Sequence, residues 1–472
     1  MGTIFKGGNM ININPKSKEP LYSQIYNQIK QSIIEGRIKS GEKLKSKRNL
    51  SKELSVSVNT IDTAYSQLVS EGFIKSIPQS GFYVCDIESL DIINFDKKEI
   101  KKNIIEPKKY NNYIDFSLYG IDIPSFPYTS WKKLIREVIS LSPEEFLKTS
   151  PSQGEFSLRC AISSHIYIRR GVITSPDNIV IGAGTDNLME ILNGILEKDC
   201  KIAMEDPVYS NSYRYFNRMG HKIISVPTDE KGVITDNIKN IDNTALYITP
   251  SHQFPLGITM PVSRRIEILK WAKKGEKRYI IEDDYDSEFR YNSKPIPSLQ
   301  SIDRNGNIIY LGSFSRSISP SLRISYIVLP EKLMETYKEN YKDTSCPVSR
   351  LEQLVLEKFI SSGQYEKHIN RMRKIYSEKR DYTIKKLVYE FGEDISFYGE
   401  NAGHHILFKI KNYKDEKEIC KKAFLNNIKI YAVSDFYKGT VPEKFKGAVM
   451  AGYGNLSFED IEKGIKILKK SL

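Results

Sequence analysis

Leu21, Ile25, Ile29 and Ile33 recur at four-residue steps with Tyr22 and Tyr26 beside them, which lays one apolar stripe along a helix. Pro20 suits the first turn of that helix and Gly36 its stop. A second, shorter helix is expected after a capping Ser46, burying Leu50 and Leu54. A third begins at a capping Ser57, buries Ile61, Ala64, Tyr65 and Leu68, and stops at Gly72, a residue free to take the left-handed conformation. In "FIKSIPQSGFYV" the pattern changes to two short apolar runs around a Pro, Ser and Gly turn, a small hairpin.

From Tyr113 onward, helical patterns alternate with short, β-branched apolar runs: "NIVIGAG", "KIAMEDP", "HKIISVP", "ALYITPS", "RYIIEDDY" and "NIIYLGSFS". This is an α/β pattern with a largely parallel sheet, and such sheets hold ligands at the carboxyl ends of their strands. The stretch between the two patterned regions has no clean period, is rich in Lys and Asn, and alternates in charge sign. The expected organisation is a small helical domain at 10–85, a tether at 86–112 with one short helix around 97–104, and a large domain at 113–472.

Composition adds limits. At 472 residues two or more domains are expected, and 40% hydrophobic with 27% charged residues is ordinary for a globular chain. No apolar run is long enough to span a membrane, and the opening residues lack a signal-peptide core, with Met10 a second candidate initiator. Five scattered cysteines, Cys85, Cys160, Cys200, Cys346 and Cys420, fit neither a disulfide framework nor a metal cluster and point to a reducing cytoplasm. The net charge of +13 points only weakly to a polyanionic partner, because a lysine-rich composition produces the same excess. It gains meaning locally: residues 10–85 hold eleven Lys or Arg against six Asp or Glu.

Three helices and a hairpin have the layout of a winged helix-turn-helix. The third helix would enter the major groove headed by Ser57, with Asn59, Thr60, Thr63 and Gln67 at base edges. Lys45, Lys47, Arg48 and the wing residue Lys75 would neutralise phosphates of a double-stranded operator. The alternative is a helical docking domain whose basic residues are merely solvated. The stretch from "EPLYSQIYNQIKQ" to "SQLVSEGFI", with residues 44–48, "SVNT" and the wing "SGFYV" in matching order, resembles the DNA-binding domain of the GntR family of bacterial transcription regulators. One position departs from that family: Val58 stands where its members usually carry an arginine, so one phosphate or base contact is missing.

The expected strand ends of the large domain carry chemistry. "GAGTDNLMEIL" is a glycine-rich turn, with Gly184 and Thr185 opening a helix, where backbone N–H groups hold phosphate. Tyr209 can stack on a flat ring, Asp283 can pair with a protonated pyridine nitrogen, and Tyr285 can bond a ring oxygen. Ser313, Ser315 and Arg323 suit a phosphate dianion. Taken singly, each has a plain structural role: Tyr209 as packing, Asp283 as a helix cap, Arg323 in an ion pair. The pair His404 and His405 lacks partners at metal-ligand spacing and reads as structural; no metal site is expected.

Together, in this order, these motifs resemble fold-type I aminotransferases. More specifically they resemble the MocR subgroup of GntR regulators, which joins that pyridoxal-phosphate-dependent transferase fold to a winged helix. The likeness continues through "TPSHQFPLGITM", "NAGHHILF" and "AGYGNLSFEDIEKGI". It implies pyridoxal 5'-phosphate stacked on Tyr209, its nitrogen facing Asp283, its phenolic oxygen facing Tyr285, and its phosphate on Thr185, Ser313, Ser315 and Arg323. His252 or Gln253 would line the ring's edge. It also implies a homodimer in which each winged helix packs on the other subunit, and a small amino or anionic effector.

The resemblance breaks at Arg316, which occupies the position of the Schiff-base lysine. A lysine can lose its proton and attack an aldehyde, whereas a guanidinium keeps its charge up to a pKa above about 12 and is a poor nucleophile. No catalytic residue is therefore assigned. Three readings follow. The cofactor is held non-covalently or arrives already joined to an amino compound; the pocket has moved to another anion read by Arg316; or the domain only dimerises. The competing reading is a pyridoxal-phosphate-dependent aminotransferase. Asn211, two residues after Tyr209, stands where amine-responsive relatives can place a carboxylate-binding arginine, a task Arg316 could take over.

Overall fold

The computed structural model describes residues 3–4, 10–86, 113–141, 144, 147–275, 277–291, 296–400 and 402–472. The chain divides into two compact units, Met1–Lys109 and Tyr110–Leu472. Apart from Asp86, the expected tether at 86–112 and its helix lie outside the described residues.

In the first unit the apolar stripes become helices α1 (Leu21–Ile34), α2 (Lys47–Leu54) and α3 (Val58–Ser70). Ile25, Ile29, Leu50, Ile61, Ala64, Tyr65 and Leu68 meet in one buried cluster. The expected caps are in place, with Ser46 Oγ accepting from Asn49 N at 3.3 Å and Ser57 Oγ from Thr60 N at 3.1 Å. The buried Tyr65 hydroxyl donates to Lys45 O at 2.9 Å and so pins α3 to the residues ahead of α2. Strands β1 (Ile74–Ile77) and β2 (Gly81–Val84) pair antiparallel, Ile74 opposite Val84, and complete the winged helix-turn-helix.

The second unit is built on an eight-stranded sheet. Its strands are β3 (Ile179–Gly182), β4 (Lys201–Asp206), β5 (Ile223–Asp229), β6 (Gly232–Val233), β7 (Thr244–Ile248), β8 (Arg278–Asp284), β9 (Ile308–Ser313) and β10 (Ser325–Val328), in the order β3-β10-β9-β8-β7-β4-β5-β6. The six expected runs all form strands and all point the same way. Strand β10, which the sequence reading did not single out, lies antiparallel between β9 and β3.

Alternate residues serve opposite faces, as a pleated strand requires. Ile309 and Leu311 of β9 pack with Leu188 and Leu192 of helix α5 (Thr185–Ile195), whereas Tyr310 packs with Ile162 and Ile166 of α4 (Phe156–Arg170). Covering both faces explains why these strands read as continuous apolar runs. A 28-residue helix, α6 (Gln364–Phe391), leads into a smaller antiparallel sheet containing His405–Ile410 and Ala448–Gly452. The first residues of this unit are fastened to that region: Ile114–Asp115 pairs with Ile428–Lys429, and Phe116 O accepts from Gly452 N at 2.8 Å.

Candidate functional site

Because β3, β4, β7, β8 and β9 end on one edge of the sheet, Thr185, Tyr209, Thr249, Asp283 and Ser313 are delivered to the same place. They line one cavity of about 180 Å³ with Tyr119, Phe254, Tyr285, Ser315, Arg316, Pro320 and Arg323. Eight residues singled out from sequence are thus brought together there: Thr185, Tyr209, Asp283, Tyr285, Ser313, Ser315, Arg316 and Arg323.

At one end lies the N-terminus of α5. Gly184 precedes it with φ of +83° and no side-chain cap on the helix's first N–H groups. A Cβ at Gly184 would fall 2.4 Å from Arg323 Nη2, so only glycine lets that guanidinium lie across the turn. Arg323 also donates to Asp186 at 3.1 Å, an exposed ion pair of the kind worth ~0–1 kcal/mol and easily exchanged for a stronger anion. Ser313 Oγ accepts from Ser315 N at 3.2 Å and from Ser325 Oγ at 3.1 Å. Hydroxyls, a guanidinium and a helix N-terminus form a donor set for a phosphate.

In the middle, Asp283 accepts from the Tyr247 hydroxyl and is no helix cap. Burial pushes its carboxyl up to about 6, while the Tyr247 bond and the Arg316 charge pull it down. Tyr209 stands edge-on to Tyr119 and Phe254, with ring centres 5.8 and 5.7 Å away. The Tyr285 hydroxyl donates to His252 O at 2.9 Å, and burial holds its pKa well above the ordinary value.

Arg316 lies between two aromatic faces, its guanidinium carbon 5.3 Å from the Tyr119 ring centre and 5.1 Å from that of Tyr285. One Nη1–H donates to Leu118 O at 2.7 Å. Among the described residues it has no carboxylate partner.

His252 and Gln253 do not line the cavity. His252 is claimed by Asp286, Nδ1 to Oδ2 at 2.9 Å, and the Gln253 amide donates to Pro207 O and Phe254 O while its oxygen accepts from Leu256 N. Polar groups of neighbouring segments, Asp286 and Pro207 O among them, take both side chains, and Phe254 turns to the cavity instead. Asn211 donates to the Tyr209 hydroxyl at 2.9 Å and accepts from Arg214 at 2.7 Å. His404 is packed on Phe289 and Tyr376, with ring centres 4.6 and 4.4 Å away.

In the small unit, α3 turns Asn59 and Thr63 outward, and Ser57 and Thr60 share a hydroxyl contact at 2.9 Å in the cap. Gln67 donates to Glu71 at 3.3 Å. Arg48 and Lys75 are exposed. Lys45 and Lys47 are already engaged, Lys45 with Glu53 at 2.7 Å and Lys47 with Asp62. A phosphate contact by either lysine therefore exchanges one anion for another. Val58 is exposed on the same helix.

Comparison with known proteins agrees with these two units. Residues 21–84 match the family profile "Bacterial regulatory proteins, gntR family" and residues 115–453 match "Aminotransferase class I and II". The "Uncharacterized HTH-type transcriptional regulator YdeL" of Bacillus subtilis is 40% identical over 95% of this chain and 96% of its own. The "Probable rhizopine catabolism regulatory protein MocR" of Rhizobium meliloti is 26% identical over 98% and 96%. The kynurenine aminotransferase of Pyrococcus horikoshii, solved in complex with PMP, superposes with a TM-score of 0.68 at 21% identity, covering 82% of this chain and 96% of that one; at that identity it speaks for the fold alone. No helix among the described residues is long and apolar enough to cross a membrane. The chain belongs to the MocR subgroup of the GntR family: it is a DNA-binding transcription regulator that joins a winged helix-turn-helix to an aminotransferase-like domain.

Proposed function

We propose that the large domain is a receptor. It takes pyridoxal 5'-phosphate or a related anionic or amino compound without a covalent bond, and its occupancy sets how a cytoplasmic homodimer engages its operator. The observation that carries this reading is Arg316, a permanently charged guanidinium in the cavity at what we read as the Schiff-base lysine position. The phosphate end and the ring-nitrogen side of the cavity fit the group, while His252 and Gln253, expected at the ring's edge, do not reach it. Gly184, without a Cβ, lets the Arg323 guanidinium lie across the turn, and hydroxyls with Arg323 gather at the phosphate end.

In this reading Thr185, Ser313, Ser315 and Arg323 would hold the phosphate, Tyr209 would cover the ring, Asp283 would face its nitrogen, and Tyr285 would hold its ring oxygen. Bound pyridoxal phosphate supplies a reactive aldehyde and an electron-withdrawing ring. This chain offers that aldehyde no amine at Arg316, and a guanidinium is no base for moving a proton between carbons. Binding and release then replace turnover.

Spectra of the purified full chain test the reading. Added pyridoxal phosphate is expected to raise the melting temperature, to leave on dialysis, and not to be fixed by borohydride. Arg316→Lys is expected to retain it through dialysis and be fixed. Steady conversion of an amino acid to its keto acid by the unaltered chain would overturn the receptor in favour of an aminotransferase.

The DNA face has its own test. Asn59→Ala is expected to lower operator affinity by about 1–3 kcal/mol and to relax preference at one base pair, because a side-chain amide reads adenine through two bonds. Arg48→Ala is expected to weaken binding to all sequences alike and to reduce the slope of log affinity against log salt by about 1. Unchanged binding in both variants, measured by fluorescence anisotropy at several salt concentrations, would assign DNA contact to other residues.

A further inference from the structure

Arg316 has donors to spare. A guanidinium carries five N–H groups, and one is used, on Leu118 O. Tyr119 and Tyr285 hold the group between them, ring centres 5.3 and 5.1 Å from its carbon, and its unused N–H groups are what it can present to a ligand. Arg316 belongs to the wall of the cavity, with no ion-pair partner among the described residues. The other cationic side chain in the wall, Arg323, is grouped with the hydroxyls at the α5 terminus and is paired with Asp186. Two cations, one lightly ion-paired and one without a carboxylate partner, therefore frame a cavity whose single carboxylate among the described residues is Asp283.

From this we infer that the effector carries two acidic groups. A phosphate is held at the Thr185, Ser313, Ser315 and Arg323 end, and a carboxylate is taken by Arg316, both on one flat ring seated over Asp283. The inference rests on the receptor reading and narrows it. The group facing Arg316 is at the oxidation level of an acid, since an aldehyde offers the guanidinium only a neutral carbonyl oxygen. A carboxylate accepts two parallel N–H bonds from the same fork.

The test is isothermal titration of the full chain with three probes: pyridoxal 5'-phosphate, the same phosphate-bearing ring with a carboxylate in place of the aldehyde, and inorganic phosphate. The acid is expected to bind more tightly than the aldehyde by about ten-fold or more, the usual gain from a charge-assisted pair. In Arg316→Gln that preference is expected to vanish while inorganic phosphate still raises the melting temperature as in the parent. Arg316→Lys serves as a second variant, expected to reverse the order by fixing the aldehyde covalently. Equal binding of acid and aldehyde by the parent, or an acid preference that survives in Arg316→Gln, would overturn this inference alone. Failure of all three probes to bind the parent would overturn the receptor reading with it.

Discussion

Arg170→Met is expected to cost about 3–5 kcal/mol of stability, because removing one member of a buried ion pair leaves the other charge without compensation. Arg170 ends α4, and its Nε donates to Asp284 Oδ2 at 2.7 Å with both side chains buried. Its other nitrogens donate to Ile296 O and to Ser251 Oγ. The guanidinium thus fixes the ends of β7 and β8 relative to each other, and those ends carry Thr249 and Asp283 into the cavity. Urea unfolding followed by the fluorescence of Trp131 and Trp271, both in the large unit, reads the loss. The double variant Arg170→Met, Asp284→Leu is expected to recover most of it, less about 1 kcal/mol for the Tyr310 hydroxyl that donates to Asp284 at 2.6 Å. A double variant as unstable as the single one would mean that Arg170 acts through packing.

Asp283→Asn is expected to move stability and ligand affinity in opposite directions. Burial raises the Asp283 carboxyl from 3.8 to about 6. A carboxyl raised in the folded state contributes stability that is fully present below about pH 4 and is lost as pH climbs through about 6. An amide keeps the Tyr247 bond and removes the charge. At pH 8 the variant should gain about 3 kcal/mol, and below pH 4 it should match the parent. A protonated ring nitrogen would lose its counter-charge, so pyridoxal phosphate should bind about ten- to a hundred-fold more weakly, the scale of one charged hydrogen bond. Melting curves from pH 4 to 8, with and without ligand, separate the two effects. A variant destabilised at pH 8 would show that the carboxylate supports the resting fold instead of straining it.

The elements that sequence pattern made legible are those with a local cause. The stripes of α1 and α3, the Ser46 and Ser57 caps, and the six apolar runs each follow from spacing within a dozen residues. Pocket residues were legible where they close a strand, as Asp283 and Ser313 do. Tyr119 was not: it reaches the cavity from a segment 197 positions ahead of Arg316, and no period links the two. Phe254 was passed over for the polar His252 and Gln253, because nothing local says that Asp286 and two carbonyls claim those side chains. Strand β10 escaped for another reason. Its run, Ser325–Val328, is as apolar as the others, and no residue pattern records that it runs antiparallel to its neighbours.

The bond from Arg316 to Leu118 O gives the cavity an internal competitor. An anion taken on the unused N–H groups leaves this bond in place, whereas one that draws the guanidinium away must displace a backbone carbonyl. Leu118 lies a few residues past the start of the large unit, on the stretch held by Ile428–Lys429 and Gly452. For a ligand of the second kind, filling the cavity and loosening that stretch are two sides of a single exchange.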